Sequence, residues 1–164
     1  MYYDSIAKGY NELYGEEQLR KLSVIKQKLQ VSPTDKLLDV GCGTGISMDW
    51  PCSVIGIDPS IELIKQAKNA IWASAEDLPF PDNDFDIVIS ITAIQNFTDI
   101  EKAIDEMKRV AKDRVIISFL KRSQKRERIE TLLKKEFVVE DIIEEPKDII
   151  FFLRVIQKED HYPI

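Results

Sequence analysis

Two stretches before residue 30 carry apolar side chains at helical spacing, and the rest of the chain alternates short apolar runs with further helical patterns. Residues 3–14 place Ile6, Tyr10, Leu13 and Tyr14 on one stripe, and Leu19, Leu22, Ile25 and Leu29 make a second. The spacing predicts two helices there, after which SPTD (Ser32 to Asp35) punctuates the chain. Strands are predicted at 36–40, 53–58, 71–75, 85–91, 113–120, 137–144 and 148–157. Helices fall between most of them: 60–69 on Ile61, Ile64 and Ala67, 99–111 on Ala103, Ile104, Met107 and Val110, and 123–135 on Ile129, Leu132 and Leu133. Only Glu145-Pro146-Lys147 joins the last two strands, and so short a turn makes an antiparallel hairpin, whereas helical crossovers make parallel neighbours. The pattern therefore predicts an α/β fold: a doubly wound, mostly parallel seven-stranded sheet with N-terminal helices and a C-terminal antiparallel hairpin.

One crossover is too short. Between Gly45 and Ser53 only ISMDWPC remains, which limits the intervening helix to one or two turns, ended by Pro51. The segment before it, LLDVGCGTG (37–45), is a buried-strand run that ends near Asp39 and breaks into alternating glycines. Gly41, Gly43 and Gly45 permit positive φ and close approach of backbone N–H groups to a ligand. Asp58 closes the next apolar run, SVIGID, where an acidic residue can hold ribose hydroxyls. Together they point to an adenosine-bearing cofactor. A glycine-rich structural turn without a ligand is the alternative, and the coupling to Asp39, Asp58 and a parallel-sheet pattern weighs against it.

Composition narrows the class. The 164 residues suffice for one domain with a real core, 44% are hydrophobic, and no apolar run approaches a membrane span. The N-terminal MYYDSIAKGY lacks the basic and apolar regions of a signal peptide, so a cytoplasmic protein is expected. Cys42 and Cys52 have neither Cys-x-x-Cys spacing nor a nearby histidine, which argues against a metal site or a disulfide framework. The lone histidine, His161, sits in the C-terminal tail. A net charge of −6 argues against a protein that simply coats nucleic acid, but the charge is uneven. Trp72 to Asp99 holds six acidic residues and no Lys or Arg, whereas KRSQKRER (121–128) holds five basic residues against one acidic.

The glycine spacing selects among cofactors. Ile46 occupies the last position of the Gly-x-Gly-x-x-Gly dinucleotide fingerprint, and no Gly-Lys-Ser/Thr follows to make a nucleotide-triphosphate loop. With LLDVGCGTG (37–45), VIGIDPS (54–60), AEDLPFPDNDFDIVISITAIQNF (75–97) and a basic region before Val115, the chain resembles the class I S-adenosylmethionine (SAM)-dependent methyltransferases. The likeness is to the small ubiquinone/menaquinone-biosynthesis type and extends to the leading YYDSIAKGYNELY. It implies a Rossmann-like methyltransferase sheet in one domain, 1–164, with 1–31 as a lid or docking segment, and SAM as cofactor. In that family the glycine turn holds the methionine part of SAM, which carries to Asp39, Gly41, Cys42, Gly43, Thr44 and Gly45. The acid after the second strand takes the ribose hydroxyls, which carries to Asp58 with Pro59 and Ser60. Ala75, Glu76 and Asp77 would lie by the adenine, Ile91 to Asn96 would flank the sulfonium and the incoming nucleophile, and Tyr14 is the candidate lid residue. SAM is a cation, so acids at Asp39, Glu76 and Asp77 complement it. Methyl transfer is an in-line displacement in which alignment supplies much of the acceleration, so a core histidine is not required.

Two departures motivate a competing reading as a non-catalytic SAM-binding or scaffold protein. Ser74 stands where the family often has an acid for the adenine amino group, and the helix after Gly45 is short. The acceptor is less legible. Ser90-Ile91-Thr92-Ala93 replaces the Asn/Asp-Pro-Pro-Tyr of amine methylators. Gln95 and Asn96 offer amides that orient a polar substrate or, equally, cap the fourth strand. Lys121, Arg122, Lys125 and Arg126 form either a landing strip for RNA phosphates or a solvated helix start with Arg126 paired to Glu130. On that run alone RNA or a ribonucleoprotein is preferred narrowly over a small molecule. Tyr2, Tyr3 and Tyr10 extend the aromatic cluster of the leading segment, with docking favoured for Tyr10. Trp72 falls on the strand the family places at the sheet edge, where some relatives bind a small zinc-binding activator protein; packing inward against helix 60–69 is the favoured alternative.

Overall fold

The computed structural model describes residues 7–157. Helix α1 (Ala7–Lys28) leads into β1 (Lys36–Val40). A 3-10 turn (Ile46–Met48), β2 (Ser53–Asp58), α2 (Ile61–Ile64) and β3 (Ala70–Trp72) follow. Next come β4 (Phe85–Ile91), a second 3-10 turn (Ile94–Asn96), α3 (Ile100–Val110) and β5 (Ala111–Leu120). The chain finishes with α4 (Arg126–Glu136), β6 (Phe137–Glu144) and β7 (Asp148–Val155). The seven strands form one sheet in the order β3-β2-β1-β4-β5-β7-β6, parallel except where β7 runs against β5 and β6. The order reverses between β1 and β4, so the turns after these strands meet at the carboxyl edge, the usual ligand crevice of such sheets.

The central strands are buried on both faces, which is why they read as near-continuous apolar runs. One face, with Leu38, Val40, Val88 and Ile117, packs on α3 and α4 through Ile104, Met107, Ile129 and Leu133. The other, with Leu37, Ile87, Ile89, Ile116 and Ile150, packs on Leu22 and Ile25 of α1 and on Trp50. Asp99 starts α3 by accepting the Lys102 backbone N–H at 3.1 Å, and Lys108 and Arg109 close it on the correct side of the helix dipole.

Three elements differ from expectation, while the crossover after Gly45 stays within the one or two turns expected. The two leading helices are one, because a single glycine, Gly15, costs about 1 kcal/mol and is outvoted by the helix-favouring Glu16-Glu17-Gln18 that follows. The 60–69 helix keeps only Ile61–Ile64; the N–H groups of Gln66 and Ala67 then bond three residues back, tightening the chain toward β3. β3 stops at Trp72 because Ser74 starts a turn, its hydroxyl accepting the Glu76 N–H and its carbonyl the Asp77 N–H. The crossover after Gly45 is one 3-10 turn, with the Trp50 indole donating to the Ser47 carbonyl at 2.8 Å.

Trp72 corrects the inward reading. It is 65% exposed, beside exposed Ile71, and its indole N–H donates to the Pro59 carbonyl at 2.8 Å. The four-residue α2 is too short to cover the edge strand. No helix among the described residues is long and apolar enough to cross a membrane.

Candidate cofactor and acceptor site

The turn after β1 is built around positive φ at Gly41 (80°), Gly43 (55°) and Gly45 (91°). At Gly41 the need is also steric, because a Cβ there would stand 2.6 Å from the Ala93 Cβ. The turn after β4 therefore packs directly on the glycine turn, and Ser90 reinforces the join by donating to the Val40 carbonyl at 2.8 Å. Four N–H groups of the glycine turn are held within the fold. Those of Gly41 and Cys42 bond the Ile57 carbonyl, that of Gly45 bonds Cys42, and that of Gly43 bonds Asp58 Oδ2 at 3.0 Å. The glycines shape a floor rather than a row of free donors.

Asp58 is buried, and its second oxygen accepts the Ser60 N–H at 2.8 Å. These bonds fix the direction of the carboxylate at the carboxyl end of β2. Ser60 in turn caps α2, and Pro59 is exposed beside it. Asp39 is fully buried; Ser47 donates to its Oδ2 at 2.5 Å, while Oδ1 has no partner. Burial raises its pKa to about 7 against the pull of Ser47, with the Asp58 charge adding to the rise. A buried carboxyl with an unmet oxygen at the base of the turn fits a cationic ligand. Cys42 is buried with its pKa pushed up by burial, so it packs as an apolar side chain, and Thr44 is buried with it.

After β3, Ala75 is buried and Asp77 exposed. Glu76 is half-buried. Burial acts to raise its pKa, but bonds from the Ser74 hydroxyl (2.5 Å) and from backbone N–H groups, Asp99 among them (3.1 Å), lower it overall. Ser74 thus orients Glu76 instead of substituting for an acid. Sequence reasoning missed Arg109, which secures this loop by donating to the Phe80 and Leu78 carbonyls and to Asp82 and Glu106.

After β4, Ile91 is buried, and Thr92 holds φ at 54°, an uncommon value for a β-branched residue. Its N–H bonds the Ser118 carbonyl and hydroxyl, and its own hydroxyl donates to Asp148 Oδ2 at 2.7 Å. Lys21 of α1 reaches both the Thr92 hydroxyl and Asp148, the latter at 3.3 Å. Both charged groups are buried, and burial lowers the Lys21 pKa against the attraction of Asp148. Lys21, Ser118 and Asp148 were not legible as site residues, and Thr92 was so only as part of the run Ile91 to Asn96. Their only sequence signals are a lysine on the apolar stripe of α1 and an aspartate opening β7.

Gln95 is buried and Asn96 exposed. Of the basic run, Lys121 pairs with Glu144 at 3.3 Å, Lys125 donates to the Gln95 carbonyl at 3.1 Å, and Arg126 and Arg128 pair with Glu130 and Glu101. Arg122 is exposed. The helix-start reading, including the Arg126–Glu130 pair, is therefore present in the structure. Tyr2, Tyr3 and His161 lie outside the described residues, as do the side chains of Tyr10 and Tyr14.

Known proteins resemble this chain in sequence and in fold. A profile described as a methyltransferase domain matches residues 38–119. An uncharacterized Methanocaldococcus jannaschii protein is 36% identical over 123 residues, covering 72% of this chain and 49% of that one. The ubiquinone/menaquinone biosynthesis C-methyltransferase of Geotalea daltonii is 32% identical over 141 residues, covering 70% and 60%. Among solved structures, a chain of the complex between the Haloferax volcanii Trm112 methyltransferase activator and its methyltransferase superposes with a TM-score of 0.81. That match has 15% identity and covers 94% of this chain and 98% of the other. The chain spans between 38% and 62% of the length of the first three curated relatives it matches. With the profile covering the glycine turn, Asp58, the acidic loop and the β4 turn, the chain belongs to the class I S-adenosylmethionine-dependent methyltransferase family.

Proposed function

We propose that this protein transfers the methyl group of SAM to a small polar acceptor held against the turn after β4. The observation that carries the reading is the contact of the glycine turn with Ala93, which sets the cofactor floor and the acceptor turn side by side. Bound SAM supplies an activated methyl on a sulfonium. The chain's part is to hold and aim it. In this reading Asp39 takes the cationic methionine end, Asp58 the ribose, and Ala75 to Asp77 border the adenine. Ile91 borders the reacting centre, and the domain extends over 1–164 with the leading segment as lid. Exposed ion pairs are worth under about 1 kcal/mol and exchange readily for phosphate, so the pairing of the basic run does not bar RNA. The similarity to a quinone-biosynthesis enzyme favours a small acceptor. Labelled-methyl transfer from SAM into RNA, protein and metabolite fractions tests this. Label is expected in the metabolite fraction; label confined to RNA would overturn the acceptor class while leaving the enzyme reading intact.

A partner at the sheet edge has its own support. β3 leaves one edge unpaired, with exposed Ile61, Ile71 and Trp72 around it. A structural neighbour was solved with a methyltransferase activator. We infer that a small activator protein adds a strand beside Trp72. Mixing the chain with the Haloferax volcanii activator should yield a complex on size-exclusion chromatography, lost in Trp72→Asp. No complex, or one indifferent to that substitution, contradicts the assignment.

A further inference from the structure

Gln95 is 9% exposed, and its side-chain oxygen is buried without any hydrogen-bond partner. The orientation of its amide is fixed chemically. Its Nε2 donates to the Thr92 carbonyl at 3.1 Å, and a carbonyl accepts only, so the nitrogen must face Thr92 and the oxygen must face away. Buried acceptors of this kind are nearly always satisfied, and an unmet one beside a reaction site calls for a functional account. We propose that the Gln95 side-chain oxygen is the hydrogen-bond acceptor that selects the substrate, which must carry a hydroxyl or amino hydrogen at or beside the methylated atom. The inference rests on the methyltransferase reading above and names the substrate chemistry of that same site.

The surroundings are arranged to keep this oxygen in place. The carbonyl that orients Gln95 belongs to Thr92, whose left-handed backbone is held by Ser118 through its N–H and by the buried Lys21–Asp148 pair through its hydroxyl. Lys125 binds the Gln95 backbone carbonyl at 3.1 Å from the other side. The same turn abuts Gly41 through Ala93 and Phe97, the residues two before and two after Gln95. Lys21, Thr92 and Asp148 are thus positioning residues. A donor on the substrate meets an oxygen already stripped of water, and a methylated, donor-free analogue leaves it unpaired. Discrimination by a missing hydrogen-bond partner is stronger than discrimination by a missing methylene.

The test uses the protein loaded with S-adenosylhomocysteine, titrated with phenol or with its donor-free analogue anisole, and read on the Gln95 side-chain amide resonance. Phenol should shift that resonance in the wild type and, by calorimetric titration, bind about tenfold more tightly than anisole, with the calorimetric preference lost in Gln95→Leu. Calorimetry should show the Gln95→Leu variant binding SAM as the wild type does. Equal responses to phenol and anisole, or no response to either, overturn the inference. Failure of the wild type to bind SAM overturns the underlying methyltransferase reading instead. Lys21→Arg should keep the phenol preference if the cation serves only to hold Thr92; its loss with SAM affinity unchanged would overturn the positioning role as stated.

Discussion

Replacing Lys21 with methionine should destabilise the fold by about 3–5 kcal/mol, the usual cost of removing one partner from a buried ion pair. The substitution leaves the Asp148 carboxylate buried, with only the Thr92 hydroxyl to compensate it. It also removes the polar link of α1 to the turn after β4, leaving the apolar packing of Leu22 and Ile25 to hold the helix. Removing both charges in Lys21→Met/Asp148→Asn should recover part of the loss, because a neutral pair demands less compensation. Urea unfolding measures all three proteins. A single variant within about 1 kcal/mol of wild type would contradict the buried pair.

SAM affinity should rise about tenfold per pH unit between about pH 5 and about pH 7, then level off. The cause is Asp39, whose pKa burial raises from 3.8 to about 7. Its charged form pairs with a cation, so below that pKa binding must first expel a proton, and above it the carboxylate is ready. The sign for stability is the reverse. A carboxyl with a raised folded pKa contributes stability that is fully present below its unfolded value of 3.8 and lost as pH rises through about 7. The unliganded protein should therefore weaken over that window, and SAM should restore it. Calorimetry in buffers of different ionisation enthalpy checks the proton release, and Asp39→Asn should abolish the slope. A slope unchanged in that variant would assign the linkage elsewhere.

The strand pattern and sheet direction were legible because burial on both faces writes itself as apolar runs, and the glycine spacing separated SAM from dinucleotides. Where the sequence misled, a local tendency met a packing constraint. Two apolar stripes looked like two helices, but Gly15 between them lies within one helix whose neighbouring residues favour it. Trp72 looked like a core residue because its covering helix was expected to run to 69, and that helix ends at Ile64. The acceptor site was the least legible part, since it joins Lys21, Thr92, Ser118 and Asp148 across separations of up to 127 positions. No periodicity or motif links residues so distant. Asp39 and Asp58 were visible as acids, but the internal bonds that aim Asp58, to Gly43 and Ser60, depend on the folded turn.

The central claim, that the floor formed by Gly41 to Gly45 with Asp39 and Asp58 holds SAM, is tested most directly by calorimetric titration of SAM into the wild-type protein above about pH 7, where Asp39 is charged. Saturable one-site binding in the micromolar range is expected; the absence of binding at those concentrations would contradict the assignment.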